Sequence, residues 1–299
     1  MTSDFPKCPI CATDDWRIAW QGRARAGAFG NLTAPTAVAR CGGCGVERLA
    51  ESACKDESFY AGAEYREFLG EGTDAEAFFA AHDPLQLERL QVVEPHRLRG
   101  KRIADIGCAG GSFLDHVRGV VAQAIAIDPA EPYHRSLAAR GYDTARSVRE
   151  ALQRHRGTVD YVFCFSVIEH VDDPKAFLAE ARELLADGGR LIVSTPNRGD
   201  ILMSLLPADY PSFFYRAVHR WYFDAASLAE CAGHTDLRVE SLCAVHRFGL
   251  SNFTVWLRDR KPPGRDPIEV VDDVGLNAGW RAYLERTGRA DYLYAELLR

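Results

Sequence analysis

Two apolar segments in the middle of the chain each end in an acidic residue, and glycines follow the first of them. Asp105 and Gly107 end the first segment, Gly110 and Gly111 follow it, and Asp128 closes the second segment. A carboxylate at the end of a strand can accept hydrogen bonds from both ribose hydroxyls, and glycines let the backbone approach a ligand closely. The pattern predicts a nucleoside-binding crevice at the carboxyl ends of parallel strands.

The glycine pattern bears on which nucleoside would bind. A pyrophosphate-binding turn has the pattern G-x-G-x-x-G, whose second glycine makes room for the phosphates. Here Ala109 occupies that second position. The spacing to Asp128 leaves both a dinucleotide and another adenosine ligand open, but the turn lacks the glycine that a pyrophosphate requires.

Four cysteines near the N-terminus have the spacing of metal ligands. They form two C-x-x-C pairs, Cys8 with Cys11 and Cys41 with Cys44. Two such pairs complete a tetrahedral Cys₄ zinc site, and a site with four protein ligands is structural because no position is open for a substrate. The alternatives are four thiols placed by chance or a redox pair.

Alternating apolar segments and amphipathic segments must position these residues. We predict strands near 102–106, 122–127, 142–145, 159–165 and 190–194, and helices near 111–118, 131–140, 147–154 and 174–186. Strands separated by single helices imply a parallel sheet with right-handed crossovers. Two further strands, at 237–245 and 291–298, are expected to form an antiparallel pair.

Two Asp-Pro pairs have the residue types that begin helices. Asp173 is predicted to cap the helix that starts at Pro174, and Asp83 to cap a helix that runs through about residue 99. Asp is favoured at the N-cap, and Pro is tolerated in the first turn because its missing N–H has no partner there anyway.

Three motifs in order resemble those of class I S-adenosylmethionine-dependent methyltransferases. They are D-I-G-C-A-G-G at 105–111, the strand and "EHV" at 161–171, and the helix, glycine turn and strand at 184–197. The resemblance implies an α/β fold, a doubly wound, seven-stranded, Rossmann-like sheet, here with a small N-terminal module like a zinc ribbon. It also implies S-adenosylmethionine as cofactor.

The resemblance assigns residues to the cofactor site. The expected cofactor-binding residues are Asp105, Gly107, Cys108, Gly110, Asp128, Pro129, Phe165, Ser166, Tyr60 and Tyr65. Tyr60 and Tyr65 either close over the cofactor's carboxylate or pack between the N-terminal module and the core. The family often has an acid that contacts adenine after the third strand, but the segment 144–148 has none. The backbone and Ser147 are the candidates for the adenine contact, and the choice between them stays open.

Transfer of a methyl group to a hydroxyl benefits from a general base, and an imidazole suits that task. The candidates are His219, His246 and His170. His170 belongs to a motif shared by relatives with different substrates, which favours a structural role for it.

The predicted organisation has three parts. Residues 1–55 form the zinc module, 56–100 a lid and lead-in helix, and 101–299 the cofactor-binding domain with a substrate-covering insert at about 197–224. The segment 246–257 resembles bacterial methyltransferases of surface-polysaccharide and sugar pathways. We therefore expect O-methylation of a saccharide or a nucleotide-linked sugar. C- or N-methylation of a related metabolite, RNA methylation and cofactor sensing without catalysis remain alternatives.

Composition limits the classes of protein. The apolar runs are no longer than strands and the first residues lack the apolar core of a signal peptide, so we expect a cytoplasmic protein without a membrane span. The hydrophobic content of 47% supports a sizeable core, and the net charge of −6 argues against a broad nucleic-acid interface.

Overall fold

The computed structural model describes residues 4–27, 30–62, 64–69, 75–263 and 268–299. The chain divides into two compact units. The first unit comprises Met1–Cys54, Thr195–Glu230 and Leu242–Tyr294, and the second comprises Lys55–Ser194, Cys231–Ser241 and Ala295–Arg299. The three-part division made from the sequence stays a prediction.

One sheet has seven strands, namely β4 (Arg102–Ile106), β5 (Gln123–Ile127), β6 (Asp143–Ala145), β7 (Val159–Phe165), β8 (Leu185–Pro196), β10 (Arg238–Val245) and β11 (Tyr292–Leu298). Their order in the sheet is β10-β11-β8-β7-β4-β5-β6. β4 pairs in parallel with β5 and β7, β5 with β6, and β7 with β8. This is the predicted methyltransferase sheet.

The helices that precede and connect these parallel strands lie in the second unit. They are α1 (Glu57–Ala61), α2 (Glu64–Leu69), α3 (Ala75–Val93), α4 (Ser112–Val117), α5 (Glu131–Ala139), α6 (Val148–His155) and α7 (Pro174–Arg182). β4 and β7 are buried along nearly their whole length, as expected for parallel strands covered on both faces.

One predicted helix cap is confirmed and the other is wrong. The Asp173 side chain accepts a hydrogen bond from the Ala176 amide at 2.9 Å, at the start of α7. Pro84, in contrast, lies inside α3, which begins at Ala75. Asp83 does not cap that helix but accepts a hydrogen bond from the Ser112 hydroxyl at 2.6 Å. Its carboxylate therefore makes a tertiary contact instead of the N-cap contact that its residue type favours.

The first unit contains a sheet of four antiparallel strands, β1 (Trp16–Gly22), β2 (Thr36–Cys41), β3 (Glu47–Leu49) and β9 (Trp221–Tyr222). Their order in the sheet is β1-β2-β3-β9. The remaining helices are α8 (Ile201–Leu205), α9 (Pro211–Phe214), α10 (Ala225–Gly233), α11 (Leu250–Asp259) and α12 (Val274–Arg286).

A buried carboxylate ties β3 to the segment after β8 within the first unit. Glu47 is 2% exposed. It accepts hydrogen bonds from Arg198 Nε at 2.6 Å and from the Tyr215 hydroxyl at 2.7 Å. A buried charge is tolerated when it is paired and hydrogen-bonded in this way. Among the described residues, no helix is long and apolar enough to cross a membrane.

Candidate functional site

A cavity of about 410 Å³ lies in the second unit, where β4, β5 and β7 end. Its volume falls in the range of small-molecule sites. Nine of the ten predicted cofactor residues line it, namely Tyr60, Tyr65, Asp105, Gly107, Cys108, Asp128, Pro129, Phe165 and Ser166. Gly110 is not in the lining, and a Cβ on it would lie 2.5 Å from the Phe78 ring.

The turn after β4 requires glycine at its first position. Gly107 has a φ of +75°, and a Cβ there would lie 2.4 Å from the Val167 side chain. The Gly107 amide donates to the Ile127 carbonyl at 2.7 Å, which holds the turn against the end of β5. A side chain would therefore both strain the backbone and push the turn away from its neighbours.

The Asp128 carboxylate organises the crevice. Its Oδ2 accepts from the Ala109 amide at 2.7 Å and its Oδ1 from the Ala130 amide at 2.8 Å. An ionised carboxylate offers about four acceptor positions on its two oxygens, more than the two amides use. The arrangement fits the two hydroxyls of a ribose.

Asp105 is a buried acid that faces the same cavity. It is 2% exposed, and its Oδ1 has no hydrogen-bond partner among the described residues. Burial raises the pKa of Asp105 to about 7; the charge of Arg89 opposes this shift and that of Asp128 adds to it. A buried acceptor of this kind is costly unless a ligand supplies a donor, so the position fits a bound polar cofactor.

Aromatic side chains form one wall of the cavity. The ring of His170, which also lines the cavity, lies 5.1 Å from that of Tyr60 and 5.9 Å from that of Tyr65. Both tyrosines thus lie where the lid prediction needs them, although their role stays a prediction.

Helix α3 supplies lining residues that the sequence analysis missed. They are Phe78, His82, Gln86 and Arg89. The Arg89 guanidinium lies 4.6 Å from the centre of the Phe165 ring, and the His82 ring stacks on Phe78 at 4.3 Å. No motif marks these positions. Recognising that α3 starts at Ala75 would have placed Phe78, His82 and Arg89 at the helical spacing of one face.

The other two candidate bases belong to the first unit and are not among the residues that line this cavity. His219 is 4% exposed and His246 is 8% exposed. His246 Nδ1 lies 3.1 Å from Asp291 Oδ1, and the Asp291 amide donates to the same nitrogen at 3.3 Å. A buried carboxylate beside an imidazole orients the ring.

The four N-terminal cysteines come together in the first unit. Their sulfur atoms lie within 4.8 Å of one another. Cys8 Sγ is 3.7 Å from Cys44 Sγ, and Cys11 Sγ is 3.4 Å from Cys41 Sγ. A tetrahedral ion with Zn–S bonds of about 2.3 Å separates its sulfurs by about 3.8 Å. A Cβ on Gly43 would lie 2.7 Å from Cys11 Sγ, so this glycine leaves room for the cluster.

Asp105 should make stability depend on pH. Because burial raises its folded pKa to about 7, the folded state holds a proton that the unfolded state releases near pH 4. Relative to Asp105→Asn, the wild-type free energy of unfolding should fall between about pH 4 and 7, by at most about 1.4 kcal/mol per pH unit, and level off above. Urea titrations across this range measure it.

The exposed acid Asp187 supplies the control for that measurement. Asp187→Asn should run parallel to the wild type at every pH. If the Asp105→Asn curve also ran parallel, Asp105 would not be the group that titrates.

Comparisons with known proteins agree with this geometry. A family model described as a methyltransferase domain matches residues 80–242, more than half of the chain. The ubiquinone biosynthesis O-methyltransferase of Thiobacillus denitrificans is 30% identical over 172 residues, which cover 54% of this chain and 73% of that protein. The enzyme of the same name from Burkholderia ambifaria is 30% identical over 200 residues, covering 60% and 86%. Neither name supports the predicted resemblance to sugar-pathway methyltransferases.

Two solved structures share the fold. One is a possible histamine N-methyltransferase from Thermotoga maritima, with a TM-score of 0.50, 22% identity, and 75% of this chain and 93% of that chain covered. The other is the 1,6-didemethyltoxoflavin-N1-methyltransferase of Burkholderia thailandensis with bound S-adenosylhomocysteine, with a TM-score of 0.50, 16% identity, and 92% and 99% covered. The family match, the sheet order and the cavity together show that this chain belongs to the class I S-adenosylmethionine-dependent methyltransferases.

Proposed function

We propose that this protein transfers the methyl group of S-adenosylmethionine to a hydroxyl oxygen of a small molecule. The cavity built around Asp128 carries the cofactor part of the proposal. The names of the relatives, which are O-methyltransferases, favour oxygen as the acceptor atom. The sugar acceptor expected from the sequence has no such support, so we propose a hydroxyl without assigning it to a sugar.

Three features of the chain would hold the cofactor. Asp128 would accept hydrogen bonds from the ribose hydroxyls, the backbone after Gly107 would lie against the ligand, and Asp105 would accept a donor at its free Oδ1. When bound, the cofactor supplies a methyl group already activated on a sulfonium. The protein's main task is then to position the acceptor and exclude water.

The structure bears on which groups near Ser147 would contact the adenine ring of the cofactor. Ser147 lines the cavity, but its hydroxyl caps α6 by accepting from the Glu150 amide at 3.2 Å. We therefore propose that the backbone near Ser147 and the side chain of Val148, which also lines the cavity, contact the base.

His170 is the base that we propose, which reverses the order of preference drawn from the sequence. It is a cavity-lining imidazole that stands beside Tyr60 and Tyr65. A neutral imidazole there would accept the proton of the acceptor hydroxyl as the oxygen attacks the methyl carbon. The roles of His219 and His246 stay predictions.

We also propose that the four cysteines hold one structural zinc ion. The support is the mutual distance of the sulfurs, which matches a tetrahedral thiolate site, and the absence of any open ligand position in a four-cysteine set.

The function is tested by methyl transfer from radiolabelled S-adenosylmethionine to a panel containing phenols, sugars, amines and an RNA oligonucleotide. We expect turnover on a hydroxyl acceptor. His170→Gln should lower kcat by roughly 100-fold with little change in KM for the cofactor, because only proton removal is lost. The pH–rate profile should lose its acid limb.

His96→Gln, on the 3-10 helix Pro95–Leu98 away from the cavity lining, is the matched control and should retain wild-type kcat. Turnover on amines alone would replace oxygen by nitrogen as the acceptor. An unchanged kcat in His170→Gln would remove this residue as the base.

Zinc is tested by metal analysis of Cys8→Ser. We expect one zinc per chain in the wild type and loss of zinc together with a lower Tm in the variant, since metal binding contributes to folding. Cys54→Ser is the control, because Cys54 is half-buried and outside the cluster. Full zinc retention in Cys8→Ser, or no zinc in the wild type, would contradict the proposal.

A further inference from the structure

Two arginines of the first unit are neighbours, and neither has an opposing charge beside it among the described residues. Arg25 and Arg216 form a parallel β-bridge. The Arg25 amide donates to the Tyr215 carbonyl and the Ala217 amide donates to the Arg25 carbonyl, both at 2.9 Å. The backbone therefore fixes the two residues as neighbours, although they are far apart in the sequence.

Their guanidinium groups are left without the partners that buried arginines normally have. The Nε atoms of Arg25 and Arg216 are both buried, and neither has a hydrogen-bond partner within the described part of the chain. Neither side chain forms an ion pair among those residues. An unpaired buried donor is costly, and a charged one more so, which makes the arrangement unfavourable by itself.

Three other arginines of the same unit form ion pairs with carboxylates. Arg198 pairs with Glu47 at 2.6 Å, Arg220 with Glu51 at 2.9 Å, and Arg247 with Asp291 at 2.6 Å. Arg25 and Arg216 differ from these three arginines in that neither has a carboxylate within ion-pair distance among the described residues.

The surroundings concentrate positive charge. Burial and the charge of Arg216 lower the pKa of Arg25 to about 10. The Phe213 ring covers one face of the Arg25 guanidinium, with its centre 4.2 Å from Cζ. Stacking of this kind leaves the in-plane N–H donors on the edges of the guanidinium, where a planar or tetrahedral oxyanion binds.

We propose that Arg25 and Arg216 form a binding site for the oxyanion of a small molecule, a carboxylate or a phosphate. Both side chains are half-buried, so a ligand can reach them from solvent. An anion would neutralise two like charges and accept hydrogen bonds from the guanidinium N–H groups that face solvent. This goes beyond the proposed methyl transfer, which requires no charged group on the acceptor.

The test measures Tm of the zinc-loaded full chain with sodium phosphate and, separately, with sodium benzoate, each against sodium chloride at equal ionic strength. At about 100 times Kd, a bound anion should raise Tm by about 5 °C. Comparing the two anions distinguishes a phosphate site from a carboxylate site. Arg216→Gln should abolish the increase, and Arg216→Lys should retain only part of it, because lysine lacks the planar pair of donors.

Arg17→Gln is the matched control: Arg17 is exposed and already paired with Asp15 at 3.2 Å, so the variant should show the wild-type increase. In chloride alone, Arg216→Gln should not lower Tm, since it removes a repulsion. Arg25→Gln provides a second variant at the same site. The proposal is overturned if neither anion raises the wild-type Tm, or if both Gln variants respond as the wild type does.

Discussion

The hydrogen bond from the Ala109 amide to Asp128 Oδ2 is the contact on which the cofactor cavity depends. It joins the turn after β4 to the end of β5, two neighbouring parallel strands. The same carboxylate accepts a hydrogen bond from the Ala130 amide at the start of α5. One side chain therefore holds together the turn after β4, the end of β5 and the start of α5. The turn is also tightly packed, because a side chain at Gly107 would collide with Val167. The Gly107 amide donates to the carbonyl of Ile127, the residue before Asp128, which further fixes the backbone there. The protein itself therefore fixes the carboxylate that we propose as the acceptor for the ribose hydroxyls.

Features set by local chemistry were predictable from the sequence. The four parallel pairs of the sheet follow from apolar segments of strand length separated by helices, and Asp173 caps α7 because Asp followed by Pro is a local preference. The glycine turn and Asp128 are recognisable because ribose binding, which we propose for this cavity, requires those residue types at that spacing. The four cysteines come together for a similar reason, since two short pairs can turn onto one ion.

Features set by tertiary contacts were not predictable. Pro84 is a helix-start residue by preference, yet α3 continues through it, and Asp83 bonds to Ser112 instead. The cavity lining supplied by α3 was missed for that reason. Arg25 and Arg216 have no motif at all, and only the β-bridge reveals that they are neighbours. Likewise, sequence alone ranked His170 behind His219 and His246, because spacing does not show which imidazole lines the cavity.

The most direct test of the account is calorimetric titration of the purified protein with S-adenosylmethionine and, separately, with NAD. We expect one site for S-adenosylmethionine with micromolar affinity, no binding of NAD, and a loss of at least about tenfold in affinity in Asp128→Asn, whose amide nitrogen cannot accept a hydroxyl. Asp187→Asn should bind as the wild type does. Binding of NAD, or unchanged affinity in Asp128→Asn, would contradict the assignment of the cavity.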